Sequence, residues 1–401
     1  MPLSPPASPE SKQSLIDLSG FVSGNHIALL ENGTEYFPAL EAALNAARFE
    51  VYLETYIFAD DDTGRRIAAA LQRAALRGVT IRVTVDGFGS KDLAGDILKQ
   101  MSANGVEILV YRPEIARLNV RRHRLRRMHR KLAIIDAQVA FIGGINIIDD
   151  MDTPKHTPPR FDYAVRVEGP LLAQMYPAAC RLWKLLSWTH FKRRWDEPAA
   201  LVPVTDPAGS RLAAFVIRDN LGHRRDIEEA YLAAITAARE EIIIANAYFL
   251  PGINFRHALM AAAARGVKVR LLLQGRVEYM LLHYASRGLY GALLDAGVEI
   301  IEYHKSFMHA KVAVIDGEWA TVGSSNIDPF SMLLAREANI IVRDQLFAYQ
   351  LRASLEDAIR FGARPVKMQH WKTRPVLERA MTWGAYGMTR FLMGIFGYAQ
   401  K

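Results

Sequence analysis

The chain has 401 residues and carries 50 Lys and Arg against 42 Asp and Glu, for a formal net charge of +8. This length accommodates two domains of ordinary size. The single cysteine, Cys180, excludes an intramolecular disulfide. The basic balance favours an anionic partner, either nucleic acid or a surface of anionic lipid. No apolar stretch reaches the roughly 20 residues of a membrane-spanning helix, so we expect no transmembrane segment.

The first half of the chain predicts an alternation of strands and helices that leads to a polar motif. Residues 1–24 are rich in Pro and Ser and predict a disordered leader. Strand, helix, strand, helix and strand are then expected at 49–58, 63–77, 80–86, 92–104 and 106–111. This alternation is typical of an α/β domain with a mixed, mostly parallel sheet flanked by helices. We predict a first domain over 25–197.

The second half repeats this order. The matching elements are expected at 241–249, 254–265, 268–274, 284–296 and 298–303. They predict a second, duplicated domain over 211–365, joined to the first by a Pro-rich linker at 198–210. The remaining tail, 366–401, mixes aromatic and basic residues, a composition that suits contact with a membrane surface. A helix packed on the catalytic body is the alternative for this tail.

A doubled polar motif, His-x-Lys-x-x-x-x-Asp followed by Gly-Gly or Gly-Ser and an Asn, carries the chemistry. Its residues are His129, Lys131, Asp136, Gly144 and Asn146 in the first copy and His309, Lys311, Asp316, Ser324 and Asn326 in the second. Alternate residues of a strand share a face, so the His and the Lys of each copy point the same way. The glycines allow close approach of backbone to a ligand. Two such half-sites facing each other predict a phosphoryl-transfer site.

The strand before each motif adds further candidates. Glu54 and Tyr56 share one strand face, and Asn246 and Tyr248 occupy the matching places in the second half. We expect these four residues to line the same cleft and to orient the histidines. Burial of the tyrosines in the core is the alternative.

An arginine-rich segment at 117–131 distinguishes the two halves, because it contains twelve residues that the second half lacks. It lies directly before the first motif. We expect its arginines to meet anionic lipid head groups, and the alternative is a solvated loop. The candidates for head-group binding are Arg121, Arg122, Arg124, Arg126 and Arg127.

The motif pair resembles the phospholipase D superfamily and, within it, the bacterial cardiolipin synthases of the shorter B type. The resemblance covers 25–365 and rests on ETYIF at 54–58, MHRK at 128–131, FIGGIN at 141–146, DYAVRVEGP at 162–170, IIIANAYF at 242–249 and TVGSSNIDP at 321–329. It implies two duplicated phospholipase D-like domains with the active site between them. It also implies His129 as nucleophile and His309 as acid and base, with Glu337 as the acidic helper of the second motif and Asp162 as its counterpart.

Residue chemistry completes the expected mechanism. Lys131, Lys311, Asn146 and Asn326 would neutralise a phosphodiester, and we expect Gly144 and Ser324 to bind the substrate phosphate with the two asparagines. Asp136 and Asp316 would fix the histidine tautomers or accept hydrogen bonds in the opposite half. No cofactor and no metal are expected.

The resemblance implies a phosphatidyltransferase that moves a phosphatidyl group between phosphatidylglycerol molecules through a phosphohistidine and releases glycerol. The expected partners are anionic phospholipid and a membrane surface, with no nucleic acid. The expected location is peripheral, on the cytoplasmic face of the bacterial inner membrane. Three alternatives stay open: a hydrolytic phospholipase D, a nuclease of the same superfamily, and a membrane-surface binding protein without activity.

Overall fold

The computed structural model describes residues 20–93, 96–112, 126–153, 157–189, 200–219, 222–277, 280–373 and 375–395. The strands of the first half are β1 (Val22–Glu31), β2 (Glu50–Thr55), β3 (Thr80–Asp86), β4 (Val106–Tyr111), β5 (Leu132–Ile135), β6 (Val139–Gly143) and β7 (Tyr163–Glu168). Those of the second half are β8 (Arg211–Arg218), β9 (Glu241–Asn246), β10 (Lys268–Gln274), β11 (Glu299–Tyr303), β12 (Lys311–Ile315), β13 (Trp319–Gly323), β14 (Glu337–Arg343) and β15 (Ala363–Pro365).

Helices fall into two corresponding sets. The first half contains α1 (Asn32–Ala46), α2 (Asp62–Leu76), α3 (Asp96–Ala103) and α4 (Leu172–Thr189). The second half contains α5 (Asp226–Ala237), α6 (Ile253–Ala264), α7 (Met280–Arg287), α8 (Tyr290–Asp295), α9 (Pro329–Leu333), α10 (Gln345–Gly362), α11 (Met368–Lys372) and α12 (Val376–Ile395).

The two halves have the same strand order and join edge to edge. The first half runs β1-β7-β6-β5-β2-β3-β4, and the second runs β8-β14-β13-β12-β9-β10-β11 with β15 added at its edge. Strands β1 and β8 pair antiparallel, which makes one continuous 15-stranded sheet. The predicted mixed α/β architecture is confirmed.

The predicted predominance of parallel pairing is wrong. Only β2-β3-β4 and β9-β10-β11 pair in parallel among the described strands, and the remaining pairs are antiparallel. The antiparallel pairs at each motif arise because the motif forms a β-hairpin, β5-β6 or β12-β13. In each hairpin only three residues join the two strands. So short a connection permits only antiparallel pairing.

Several predicted elements differ from the observed ones. The helix expected at 284–296 is two shorter helices, α7 and α8, interrupted at Gly288, where an added Cβ would meet the Tyr386 side chain at 3.1 Å. The strand β1 begins at Val22, within the predicted leader, while residues 1–19 lie outside the described residues. In the predicted linker, residues 200–210 form no helix or strand. The division into two domains stays a prediction.

Three apolar clusters hold the layers together. The central cluster takes residues from both halves, including Val165 and Val322, and is closed by Met175 of α4 and Leu351 of α10. A second cluster lies under α1, α2 and α3, and a third under α5, α6 and α8. Burying one large aliphatic side chain contributes about 1.5–3 kcal/mol. The shared central core therefore fixes the position of one half's strand ends relative to the other's.

Candidate active site

Short backbone bridges between the halves position both motif histidines. Met128 pairs with Arg336, and the N–H of His129 donates to the carbonyl of Arg336 at 3.0 Å. In the same way Phe161 pairs with Met308, and the N–H of His309 donates to the carbonyl of Phe161 at 2.8 Å. His129 therefore lies beside the residue that precedes β14, and His309 lies beside the segment that precedes β7.

This pairing gives each histidine a carboxylate from the opposite half. His129 Nδ1 lies 2.9 Å from Glu337 Oε1, and His309 Nδ1 lies 2.7 Å from Asp162 Oδ2. The Glu337 side chain is fully buried, and that of Asp162 is nearly so. A hydrogen bond at Nδ1 sets the tautomer and leaves Nε2 for chemistry. Glu337 and Asp162, predicted as supporting residues, are thus brought to the histidines.

The register of the sheet makes Asp162 and Glu337 structural counterparts. Gly143 pairs with Ala164 in the first half, and Gly323 pairs with Asn339 in the second. Each carboxylate comes two residues before the paired strand residue. Their different spacing from the motif arises because the connection between β6 and β7 is longer than that between β13 and β14.

Gly144 and Ser324 support these carboxylates. An added Cβ at Gly144 would lie 2.3 Å from Asp162 Oδ1, so only glycine leaves room for that carboxylate. At the matching place Ser324 Oγ donates to Glu337 Oε2 at 2.5 Å and is fully buried. The prediction that these two residues contact phosphate is therefore corrected, since both face a carboxylate.

Asn146 and Asn326 lie where the sequence predicts them, on the wall of a cleft between the halves. Asn146 Oδ1 accepts from the N–H of Ile57 at 3.1 Å, which fixes its amide orientation. The buried Oδ1 of Asn326 has no hydrogen-bond partner among the described residues. Asn246 does not line the cleft; it is buried and accepts from the N–H of Ile327, next to Asn326.

The motif lysines are buried beside the histidines. Lys131 Nζ donates to the carbonyl of His129 at 2.7 Å, and Lys311 Nζ donates to the carbonyl of His309. Lys311 Nζ also lies 3.8 Å from Asp162. Burial, opposed by Glu337 and assisted by the charge of Lys311, lowers the pKa of Lys131 to about 7. These two side chains brace the histidine backbones and, in their protonated forms, supply positive charge to the site.

Asp136 and Asp316 do not reach the histidines, and the prediction that they fix tautomers is wrong. Both occupy the tight turn of the motif hairpin with φ of 53° and 51°. Asp136 accepts the backbone N–H groups of Arg48, Phe49 and Glu50 at 2.8–2.9 Å. Asp316 does the same for residues 239–241. A strand advances about 3.3 Å per residue, so these turns lie at the far end of the hairpin strands.

Glu54 also departs from its predicted role. Its carboxylate forms a buried, two-pronged ion pair with Arg130, with N–O distances of 2.5 and 2.6 Å. Sequence reasoning overlooked Arg130, which stands between His129 and Lys131 and must therefore face the opposite side of the strand. A charged side chain directed toward the core needs a partner, and this signal was available in the sequence.

The tyrosines and one arginine complete the wall of the cleft. The Tyr56 ring lies 4.8 Å from the His129 ring, and Tyr248 lines the cleft in the second half. Arg127 also lines it, with its guanidinium 5.2 Å from the centre of the Phe88 ring. Arg126 is half-buried and does not line the cleft. The other predicted arginines, Arg121, Arg122 and Arg124, lie outside the described residues.

Both histidines open onto this one cleft, which has a volume of about 400 Å³. Its lining residues are Tyr56, Ile57, Phe88, Arg127, His129, Asn146, Tyr248, Leu282, His309, Asn326, Asp328, Phe330, Ser331, Leu334 and Ala335. Polar groups from both halves line the cleft together with apolar side chains. Such a combination is typical of a site for an amphipathic ligand.

Electrostatics separate the two histidines. Burial lowers the pKa of both, and Lys131 and Lys311 lower both further; Glu337 opposes this shift at His129, whereas the pKa of His309 ends well below its ordinary value. Burial alone would raise the pKa of Glu337, but His129, Lys131 and Ser324 bring it below its ordinary value. Burial raises the pKa of Asp162 to about 6 despite the nearby lysines. Glu337, the partner of His129, therefore stays ionised to a lower pH than Asp162, the partner of His309.

A family model described as cardiolipin synthase, PLD-like domain, matches residues 40–156 and 231–359, and each segment contains one motif histidine. The chain belongs to this family. It is 42% identical over 343 residues to cardiolipin synthase B of Escherichia coli K12, covering 86% of this chain and 82% of that protein. It is 32% identical to a cardiolipin synthase of Geobacillus kaustophilus, covering 85% of this chain and 69% of the relative.

Solved structures show the same fold at low identity. The crystal structure of phosphatidylserine synthase from Haemophilus influenzae matches with a TM-score of 0.65 at 12% identity, over 93% of this chain and 95% of that one. Polyphosphate kinase from Porphyromonas gingivalis matches with a TM-score of 0.55 at 15% identity, over 92% and 53%. In the described residues, no helix combines the length and apolarity required to cross a bilayer.

Proposed function

We propose that the chain is a phosphatidyltransferase that makes cardiolipin from two phosphatidylglycerol molecules. The observation that carries the proposal is the pair of histidines on one cleft, each hydrogen-bonded at Nδ1 to a carboxylate of the opposite half. The relatives named cardiolipin synthase support the choice of substrate. Two lysines and two asparagines near the same cleft suit a phosphodiester anion.

His129 is the nucleophile in this proposal, and His309 is the general acid and base. Glu337 stays anionic beside His129 Nδ1, which raises the electron density at Nε2 and stabilises the imidazolium that forms when Nε2 bonds to phosphorus. The low pKa of His309, caused by burial and by Lys311 and Lys131, makes its protonated form a strong proton donor.

The first transfer forms a bond between His129 Nε2 and phosphorus and breaks the bond between phosphorus and the glycerol head-group oxygen. The His309 imidazolium donates its proton to that oxygen, and glycerol leaves. Lys131, Lys311 and the amides of Asn146 and Asn326 stabilise the charge on the phosphoryl oxygens.

The second transfer reverses these roles for a new acceptor. A head-group hydroxyl of a second phosphatidylglycerol gives its proton to neutral His309, and its oxygen bonds to phosphorus. The bond between phosphorus and His129 breaks, and cardiolipin is released. Acid–base help of this kind contributes about 10²–10⁴-fold to the rate.

Product analysis tests the proposal directly. The full chain is incubated with phosphatidylglycerol vesicles, and lipids and free glycerol are quantified. Cardiolipin and glycerol in equal amounts are expected. Phosphatidic acid without cardiolipin would show that the protein is a hydrolase and not a transferase. Unchanged lipid with cleaved DNA would show that it is a nuclease. Unchanged lipid and DNA, with vesicles still bound, would indicate a binding protein.

Matched histidine variants separate chemistry from folding. His129→Ala and His309→Ala should each abolish cardiolipin formation, while His223→Ala should retain it. His223 is a suitable control because it also contacts a carboxylate, Asp226, at 2.6 Å but is exposed at the surface. Wild-type activity in either motif variant would overturn the two-histidine mechanism.

We further propose that the protein acts as a peripheral protein on the cytoplasmic face of the bacterial inner membrane. The substrate is a bilayer lipid in this proposal, and the net charge of +8 favours an anionic leaflet. Fractionation of cells that express the full chain, with a high-salt wash, tests this. Release by salt is expected, and recovery in the periplasm would contradict the assignment.

A further inference from the structure

Helix α12 has large apolar side chains on its solvent side. Trp383 and Phe391 are 67% and 65% exposed, and Met388 is 53% exposed. At 100° per residue these three side chains fall within one 140° sector, which also contains Gly384 and Gly387. This exposed sector has no charged residue among the described side chains.

The opposite side of α12, which faces the protein, carries the partly buried Ala385 and Tyr386 beside two buried threonines. Thr382 and Thr389 are buried to 2% exposure, and Thr389 Oγ1 donates to the carbonyl of Ala385 at 2.9 Å. An amphipathic helix on a water-soluble surface keeps its large apolar residues toward the core, so the exposure of Trp383, Met388 and Phe391 is unusual for a surface in contact with water. Their exposure suits an apolar environment outside the protein.

Helix α12 is directed toward the cleft. Trp371, which precedes it, stacks near Tyr290 at 5.1 Å between ring centres, and the later Tyr386 packs against the earlier Gly288. The chain therefore runs back along α7 toward the first turn of that helix. In that turn Leu282 lines the cleft, and the adjacent Met280 is 62% exposed.

The rim of the cleft also carries exposed aromatic side chains on both halves. Phe330 is 41% exposed in the second half, and Phe88 is 45% exposed in the first, and both line the cleft. Arg127 lies over the Phe88 ring, so a cation accompanies the apolar rim at the point where lipid phosphate would approach. Arg390 likewise flanks the apolar sector of α12, 5.9 Å from the Tyr386 ring.

We propose that the exposed face of α12, the first turn of α7 and the rim residues Phe88 and Phe330 dock the protein on an anionic lipid bilayer. This inference deepens the proposed function, because a phosphatidyl donor keeps its acyl chains in the bilayer while its phosphate enters the cleft. Apolar and aromatic side chains flanked by arginines fit the bilayer interface. A bilayer is the occupant in this proposal because the exposed apolar residues include the rim of the cleft that would receive the lipid phosphate.

A vesicle-binding comparison of full-length variants tests the docking face. The double variant Trp383→Ser with Phe391→Ser is compared with Leu346→Ser with Phe361→Ser, whose side chains are 59% and 65% exposed on α10. Sedimentation with vesicles of phosphatidylglycerol and phosphatidylcholine gives the partition coefficient. We expect the α12 variant to bind at least about tenfold more weakly and the α10 variant to bind as wild type.

Activity on two forms of substrate distinguishes docking from chemistry. The α12 variant should lose cardiolipin synthesis on vesicles in proportion to its binding, and should keep wild-type activity on monomeric short-chain phosphatidylglycerol. Vesicle binding requires no turnover, so failure of the proposed reaction would leave the binding result intact.

Three results would overturn the docking proposal. These are wild-type vesicle binding by the α12 variant, equal losses of binding in both double variants, and a wild-type dimer that the α12 substitutions convert to monomers. The last result would assign the face to a second copy of the chain. A polarity-sensitive dye at Met388→Cys, with Leu346→Cys as control, should shift to the blue on vesicles only at position 388.

Discussion

His129 Nδ1 and Glu337 Oε1 lie 2.9 Å apart although 208 positions separate the two residues in the chain. His309 and Asp162 repeat the relationship at 2.7 Å across 147 positions. Each motif histidine is therefore hydrogen-bonded to a carboxylate of the opposite half, and neither half forms a histidine–carboxylate pair from its own residues.

Replacing Glu337 with Gln should remove the anion that supports His129 with little change in shape. Because Glu337 is buried behind the histidine and does not line the cleft, lipid binding should be preserved. We expect kcat to fall by about 10²–10⁴-fold with KM within about threefold of wild type. Steady-state kinetics on short-chain phosphatidylglycerol measures both constants. Glu318→Gln, at an exposed turn, is the control; a rise in KM with unchanged kcat would contradict the positioning role.

Replacing Asp136 with Asn should affect stability rather than chemistry. The Asp136 carboxylate accepts three backbone N–H groups, and an amide offers one oxygen where the carboxylate offers two. Asn tolerates the positive φ, so the substitution isolates the hydrogen bonds. We expect the free energy of unfolding to fall by about 1–3 kcal/mol, with kcat per folded molecule unchanged. Urea denaturation and active-site-normalised rates give both values; Asp206→Asn, exposed between the halves, should change neither.

Adding one methyl group at Gly144 should disable His309. The new Cβ would stand 2.3 Å from Asp162 Oδ1, so the carboxylate must leave its position beside His309 Nδ1. We expect Gly144→Ala to lose at least about 100-fold in kcat. Gly252→Ala is the matched control, since its Cβ would meet nothing closer than 3.9 Å. Activity within about twofold of wild type in Gly144→Ala would mean that Asp162 does not position His309.

The pH dependence of kcat/KM should be bell-shaped, because this constant reports the groups of the free enzyme. Burial raises the pKa of Asp162 to about 6, so its anion, which His309 requires, is lost as the pH falls through that value. Burial lowers the pKa of Lys131 to about 7, so its positive charge is lost as the pH rises through that value. The first transfer also needs the His309 imidazolium, whose lowered pKa makes its loss a second contribution to the alkaline decline. We expect Lys131→Arg to make the alkaline limb less steep, because one of its two titrating groups no longer loses its charge, and to leave the acid limb unchanged. An alkaline limb of unchanged steepness in this variant would exclude Lys131 as a contributor.

The sequence predicted the parts of the site that depend on local periodicity. His129 and Lys131 are two positions apart and therefore share one strand face, and Asn146 follows the hairpin; both features follow from spacing alone. The repeat likewise predicted two halves of similar order, which the strand orders confirm.

The remaining features depend on contacts that spacing does not encode. The bridge between Met128 and Arg336 decides which carboxylate meets which histidine. The aspartates of the motif are assigned to the chemistry by sequence proximity, but the hairpin carries Asp136 and Asp316 away from the histidines. Parallel pairing was overestimated for the same reason, because hairpin formation reverses the chain where an alternating pattern suggests a crossover.

The exchange of carboxylates also bears on how such a chain could originate. A single half could form this site only as a symmetric pair, in which both acids and both supporting residues are identical. Covalent fusion removes that symmetry requirement, and here one side has Glu337 with Ser324 while the other has Asp162 with Gly144. A duplicated gene was thus free to give its two histidines unequal basicity, which a homodimer could not do.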